Sequence, residues 1–378
     1  MTDQKPLLSV ILPCRNEEQA LPFCLAQIKE IFKNHNLAGE IIVSDSSADK
    51  SPEIAKEFGA VLVKHDKVGY GIAYLEGFKL AQGKYLFLAD ADGTYDFNEI
   101  PKFLDCLRQG YDLVIGNRFA GKMEKGAMPW SHRYLGNPVL SAIFRKFFKA
   151  KIIDVHCGLR AITKEALVKL NLKTTGMEFA SEMMVKAAKR KLKIKELPID
   201  YFARRGKSKL KPLADAWRHL RFMLLYSPFF LFFLPGAILF ILGLALLLLL
   251  SLRNIEIVGL KLQYHWLLAA SLLTITGYQL IIFALFAKTY AITHLGEEDK
   301  FINKLHRHLN IESGILAGLV FGLIGGLVYL SMFWQWLHSG FGELSNISES
   351  IFALTFIIIG IQTIFSAFIL SILGIKEE

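Results

Sequence analysis

The stretch YLFLADADGTYD, residues 85–96, decides how this chain folds. Its first five residues, 85–89, have the length and composition of a buried strand. The run ends in two aspartates at i and i+2, Asp90 and Asp92, and Gly93 then allows a sharp turn. Side chains at i and i+2 of an extended segment share one side, so the two carboxylates should project together from a strand's carboxyl end. Open α/β sheets bind ligands in the crevice beyond such ends. Hard oxygen ligands there suit Mg²⁺ or Mn²⁺, ions usually completed by substrate phosphates. A DxD taken alone also describes a solvated acidic turn, so the flanking sequence has to decide.

Outward from that stretch, short apolar runs at residues 8–12, 40–43, 60–63 and 113–115 read as further strands. Amphipathic segments at 17–32, 51–58 and 72–81, and another near 101–108, read as helices between them. Strand and helix alternating with short links predicts a mainly parallel sheet in an α/β layer fold. Polar residues follow successive strands: Arg15, Asn16 and Glu17, then Asp45, then Asp90 and Asp92. Together they should line one crevice, although Glu17 or Asp45 taken singly reads equally well as an ordinary helix-start residue. Gly69-Tyr70-Gly71 precedes a helix and would let backbone N–H groups approach a phosphate. No Walker A sequence is present, and no GxGxxG follows the first strand, which argues against a P-loop or dinucleotide site.

The second half is different. The chain is 53% hydrophobic with a mean hydropathy of +0.36, and the apolar residues concentrate beyond residue 229. Four runs, about 229–252, 266–287, 314–337 and 351–373, approach the ~20 residues that span hydrocarbon. Lys288, Lys300, Lys304 and Arg307 fall between the second and third runs, whereas residues 338–350 hold neither Lys nor Arg. That asymmetry predicts the N-terminal domain and the C-terminus on the cytosolic side. Two basic amphipathic segments precede the runs. The one at 139–149 could face the core or lie on a membrane; the one at 212–226 adjoins the first run and suits the interface.

The formal charge is +10, and a basic cluster at 204–211 sits just before the first run. That placement suits anionic headgroups or phosphorylated substrates better than nucleic acid. Cys14, Cys24, Cys106 and Cys157 form no CxxC and read as reduced thiols. No charged n-region followed by a long apolar stretch opens the chain, so no cleavable signal peptide is expected.

Taken in order, Pro13-Cys14-Arg15-Asn16-Glu17, Asp45, the Gly69/Gly71 loop, Asp90-Ala91-Asp92, Gly116-Asn117-Arg118 and Arg205-Gly206-Lys207-Ser208-Lys209 resemble family 2 glycosyltransferases of the GT-A fold. Order and spacing are most similar to dolichol-phosphate mannose synthases and polyprenyl-phosphate glucosyltransferases, over about residues 7–211. The resemblance implies a GT-A nucleotide-sugar-binding domain (1–211), an amphipathic interfacial helix (212–228) and an all-α transmembrane domain of four helices (229–378). It implies that Pro13, Arg15, Glu17, Asp45, Gly71 and Asp90 bind the donor. Asp90 and Asp92 would hold the metal, with Asp92 the main ligand. Arg118, Arg133, Ser208 and Lys209 would hold the acceptor phosphate, and Asp92, Arg118 and Lys209 would carry catalysis. The sequence departs from the pattern in having Thr94 where mannose synthases carry Gln, and Ser46 where many members have a second Asp. The QxxRW signature of processive synthases is absent, which argues against polymerisation.

The implied reaction is inverting transfer of one hexose from a nucleotide-sugar to a polyprenyl phosphate. GDP-mannose is the first donor expected and UDP-glucose the second. A glycolipid synthase with a hydroxyl acceptor is the alternative enzyme; a non-catalytic subunit that keeps the fold is the alternative outside enzymes.

Overall fold

Strand β1 (Leu8–Cys14) is apolar almost throughout, and Val10, Ile11 and Leu12 are fully buried. Such a run, rather than an alternating one, marks a strand covered on both faces. The computed structural model describes residues 5–206, 212–252, 256–257, 260–261, 264–295, 311–342 and 347–374. Ser208, Lys209, Lys300, Lys304 and Arg307 lie outside the described residues. The chain divides into two compact units, Met1–Tyr226 and Ser227–Glu378.

In the first unit, α1 (Leu21–Asn34), β2 (Gly39–Asp45), α2 (Ser51–Glu57), β3 (Val61–Lys64), α3 (Tyr70–Leu80) and β4 (Tyr85–Leu88) follow β1 in the expected alternation. Then come α4 (Ile100–Arg108), β5 (Leu113–Asn117), α5 (Asn137–Phe148), β6 (Arg160–Thr163), α6 (Lys164–Leu170), α7 (Phe179–Lys189), β7 (Ile194–Pro198) and α8 (Pro212–Leu225). The sheet order is β3-β2-β1-β4-β6-β5-β7. All pairings are parallel except those of β6, which runs antiparallel to both β4 and β5.

This single reversed strand positions the site. Arg160, at its start, is in register with Leu88 at the end of β4 and with Ile115 of β5. The loop that enters β6, residues 154–159, therefore arrives at the same sheet edge as the turns leaving β4 and β5. Four residues, polar at both ends, are too short a run to announce themselves as a strand. The buried Arg160 guanidinium fastens the loop, donating to the carbonyls of Cys157 (2.8 Å), Val155 (3.0 Å) and Ala180 (3.0 Å).

Helix α8 belongs to this first unit. It packs on α5 and α7 and buries His219, Phe222 and Met223, with Ser181 and His219 joined by a 2.8 Å hydrogen bond. Trp217, Arg218, Arg221 and Leu225 stay exposed on it. Helix α5 likewise buries Leu140 and Phe144 in the core while Val139 is exposed.

The second unit has four helices long and apolar enough to cross a membrane, Phe229–Ser251, Tyr264–Thr293, Ile311–His338 and Ile347–Gly374. Within α9 (Leu234–Leu252), α10 (Tyr264–Leu295), α11 (Ile311–His338) and α12 (Ile347–Gly374), small residues let backbones touch. A Cβ at Gly277 would run into the backbone of Phe240, and one at Gly325 into the carbonyl of Ala353. Ser271–Thr355 (2.7 Å) and Tyr278–Thr363 (2.6 Å) hydrogen bonds tie α10 to α12.

Replacing Arg160 with Met should leave the buried carbonyls of Val155 and Cys157 without this donor, at about 1–3 kcal/mol each before relaxation, whereas Ala180 O keeps its bond within α7. The expected outcome is a marked drop in the thermal unfolding midpoint of the detergent-solubilised protein. Arg160→Lys should restore part of it, because one ammonium cannot serve three divergent carbonyls.

Candidate active site

Strand β4 stops at Leu88, so Asp90 and Asp92 stand in the turn beyond it rather than within it. They do not project as a same-side strand pair. The Tyr70 hydroxyl lies close enough to Asp90 to favour its charged form. The floor beneath is Gly158, where a Cβ would come within 2.6 Å of Asp90 Oδ2 and 2.9 Å of the Tyr95 hydroxyl oxygen. Glycine is required there for close approach. Asp92 Oδ1 accepts from the Thr94 N–H (3.0 Å) and hydroxyl (2.6 Å). Thr94 thus fixes the carboxylate's rotation and leaves Oδ2 toward the crevice. Burial, and then the Asp92 charge, push the Asp90 carboxyl up to about 7, against the Tyr70 hydrogen bond and the Arg204 and Arg118 charges.

Facing Oδ2 of Asp92, at 3.3 Å, is Nη1 of Arg204. The same guanidinium donates through Nη2 to Glu17 at 2.5 Å. Arg204 reaches this position because the segment after β7 lies along the aspartate turn: Phe202 N–H donates to Thr94 O and Arg205 N–H to Asp92 O, both at 3.0 Å. The sequence marked Arg204 only as part of a basic cluster.

At the ends of β1 and β2, the second set of expected residues comes together. Asp45 is fully buried and accepts from the Ser47 hydroxyl (2.5 Å) and N–H (3.1 Å). Ser47 in turn accepts from the Asn16 N–H (2.7 Å), and Ser51 from the Glu17 N–H (3.1 Å). Pro13 is level with Ser44 in the sheet, and Arg15 is exposed beside this loop. Neither Glu17 nor Asp45 caps a helix: the cap positions of α1 and α2 are Ala20 and Lys50. Glu17 heads the turn into α1 only through its carbonyl, which accepts from the Ala20 and Leu21 N–H groups, while its side chain meets Arg204.

Two readings need correction. Gly71 does not present a free N–H to a phosphate; it donates to Gly176 O, and Ile72 N–H donates to Thr175 O. A Cβ at Gly71 would run into the carbonyl of Thr174, so this glycine serves chain crossing. Arg118 does not offer an open fork either. Its Nε and Nη2 each donate to Asp154 at 2.7 Å, and its backbone N–H to the same carboxylate at 3.1 Å. Both partners are buried, and Tyr201 lies under the guanidinium, 5.2 Å away. Arg118 is a strut that joins the end of β5 to the loop entering β6. Asp154 and Gly158 carried no sequence signal, because only the reversed β6 brings the loop that holds them to this sheet edge. Arg133 sits half-buried on the wide helical turn His132–Gly136, its guanidinium over the Tyr134 ring.

The chemistry of the donor set fits a hard divalent cation with partial coordination. Two carboxylates lie close enough to repel, Asp92 is rotationally fixed with an oxygen left for a cation, and that oxygen already faces a positive charge. Among the described residues, no group of three or more His, Cys, Asp or Glu is placed to enclose an ion. A bound ion would draw its remaining ligands from substrate phosphates and water.

The raised Asp90 value has a testable sign. Folded Asp90 keeps a proton that the unfolded chain releases between its ordinary 3.8 and about 7. Stability from this group is therefore full at low pH and lost as pH rises through that window. In chelator, Asp90→Asn should unfold a few degrees above the native protein at pH 8. The gap should close as pH falls toward 4; a gap independent of pH would refute the shift.

Comparison with known proteins agrees with this architecture. The family described as glycosyl transferase family 2 matches residues 9–170, and the one described as glycosyltransferase family 2 C-terminal transmembrane region matches residues 285–374. A low-salt glycan biosynthesis hexosyltransferase of Haloferax volcanii is 38% identical over 375 residues, 99% of this chain and 90% of that protein. A dolichyl-phosphate hexose transferase of the same organism is 34% identical over 210 residues, 55% of this chain and 88% of that one. Among solved structures, a mycobacterial protein at 19% identity superposes with a TM-score of 0.50 over 59% of this chain and 75% of its own, a likeness of fold. With near full-length similarity to one relative and a matching catalytic unit and membrane region, the chain belongs to glycosyltransferase family 2, as an integral membrane member with a GT-A domain.

Proposed function

We propose that this protein transfers one hexose, with inversion, from a nucleotide-sugar to a polyprenyl phosphate at the cytosolic membrane face. The observation that carries the reading is Asp92, locked by Thr94 with one oxygen turned toward a cation beside the half-buried Asp90. The relatives named for hexosyl and dolichyl-phosphate hexose transfer support it. Mannose from GDP-mannose is the first donor to test, and glucose from UDP-glucose the second.

A Mg²⁺ or Mn²⁺ ion held by Asp90 and Asp92 would neutralise charge developing on the departing diphosphate. The chain's own groups do the rest. Tyr70 and Thr94 orient the two carboxylates. Glu17 and Asp45, with Pro13 and Arg15, border the nucleotide end of the crevice. Arg118, through Asp154, keeps the Gly158 floor against Asp90, a positioning role. The acceptor needs no strong base: a phosphate monoester has a second pKa of about 6 and is mostly a dianion at pH 7. It needs cations, and Arg133, Ser208 and Lys209 are the residues assigned to hold it. Attack on the anomeric carbon opposite the leaving diphosphate inverts it.

The membrane unit would hold this crevice where a long lipid presents its phosphate, raising effective concentration. The exposed Trp217, Arg218 and Leu225 of α8 suit the headgroup layer. The Lys288, Lys300, Lys304 and Arg307 loop would be inside, and residues 338–350 outside.

Purified protein, given a panel of nucleotide-sugars and a polyprenyl phosphate, should transfer from one donor and stop in excess chelator. Asp92→Asn should lower kcat about 100-fold or more. Undiminished rates in chelator would sink the metal assignment. Arg133→Gln should raise the acceptor KM about tenfold, the loss of one charge-assisted contact, with nucleotide affinity unchanged. For orientation, the four native cysteines are buried and unpaired, and burial pushes Cys14, Cys24 and Cys157 up to about 12. They should stay silent to an impermeant maleimide. A cysteine at the exposed Ser339 should then label from outside intact cells, and one at the exposed Asn98 should not; the reverse would overturn the orientation.

A further inference from the structure

Arg118, Arg160 and Arg204 are not used alike. Arg118 is held by Asp154 with Tyr201 under it, and Arg160 by three carbonyls. Arg204 is shared between two carboxylates on different loops, Glu17 and Asp92, and its buried Nε has no partner. Its side chain keeps 23% of its surface accessible, against 8% for Arg118. A buried donor left unsatisfied marks a compromise position rather than a permanent strut.

We infer that Arg204 is an exchangeable counter-ion. It occupies Asp92 Oδ2 when no metal is bound, and a divalent cation entering at Asp90 and Asp92 must evict it. The inference rests on the metal assignment proposed above. The geometry is competitive. Asp92 Oδ1 is committed to Thr94, so Oδ2, the oxygen left for a metal, is the one that Arg204 Nη1 faces at 3.3 Å. A guanidinium and a divalent ion on one oxygen would repel strongly in so buried a place. Without either cation, Glu17, Asp90 and Asp92 would face one another with less to offset their charge, which gives the arginine its reason to be there. The exchange is a side-chain swing. Phe202 N–H is held by Thr94 O, Ala203 N–H by Glu124 (2.7 Å) and Arg205 N–H by Asp92 O, so the backbone on either side stays pinned.

The consequence is that metal alone binds weakly and that removing the arginine's charge strengthens it. The test is Mn²⁺ binding to the full-length protein without nucleotide, read by titration calorimetry and by the free-Mn²⁺ paramagnetic signal. Arg204→Gln should bind Mn²⁺ about tenfold tighter than the native protein, as the loss of a competing unit charge predicts. Arg204→Lys, which keeps the charge on a less well-fitted group, should fall between the two. A structural role would instead weaken Mn²⁺ binding in both variants. If Arg204→Gln does not fold, the Lys variant carries the comparison, and no gain over the native protein overturns the inference. Native protein that binds Mn²⁺ with a Gln variant that binds no tighter overturns the counter-ion alone. No Mn²⁺ binding in any form, even with a nucleoside diphosphate added, overturns the metal assignment and the counter-ion together.

Discussion

Like charges gathered at one sheet edge govern the catalytic unit. Glu17, Asp92 and Asp154 are buried, and Asp90 is half-buried among them. Desolvation and mutual repulsion both act against such a cluster, and the lifted Asp90 value registers the strain. The fold answers with arginines delivered by separate elements. Arg118 leaves β5, Arg160 opens β6, and Arg204 follows β7. Arg118 meets Asp154 because β5 and β6 are neighbours in the sheet, whereas Arg204 reaches Glu17 and Asp92 because the segment after β7 runs back along the aspartate turn. Removing either member of the Arg118–Asp154 pair would leave a buried charge alone, the costly half of any buried ion pair.

The reversal of β6 is the economical feature of this arrangement. A wholly parallel sheet presents only loops that leave strands at its carboxyl edge. One antiparallel strand adds a loop that enters a strand, and this loop supplies both the Asp154 anchor and the Gly158 floor. The Tyr70–Tyr74–Phe179 ring contacts then close the same corner from the α3 and α7 side, with Tyr74 and Phe179 stacked at 5.2 Å. Tyr70 is thus held by aromatic packing while its hydroxyl serves Asp90.

The membrane unit obeys another rule. Apolar contact between helices gains little in lipid, so association depends on close backbone approach and on a few hydroxyl pairs. Gly236, Gly243 and Gly277 between α9 and α10, and Gly318, Gly325 and Gly360 between α11 and α12, provide the first. The Ser271–Thr355 and Tyr278–Thr363 bonds provide the second.

The sequence alone determined the two-part plan. Continuous apolar runs specify buried strands or membrane helices by their length, and that information is local. It determined the first five strands and the aspartate turn for the same reason. Carboxylates that follow strands, such as Glu17, Asp45, Asp90 and Asp92, could be gathered because a parallel sheet aligns all its carboxyl ends. What the sequence could not yield was anything that depends on pairing between distant segments. Strand β6 has four residues and no periodic signature, so its direction, and with it Asp154 and Gly158, was invisible. Gly71 read as a phosphate cradle because a glycine's freedom does not say whether a ligand or another stretch of backbone comes close. Arg118 read as a holder of the acceptor phosphate, and Arg204 as one charge in a cluster, because a cation's role is set by the carboxylate that reaches it. Those carboxylates are 36 residues away for Arg118 and 187 for Arg204, and only the folded sheet brings them within hydrogen-bonding distance.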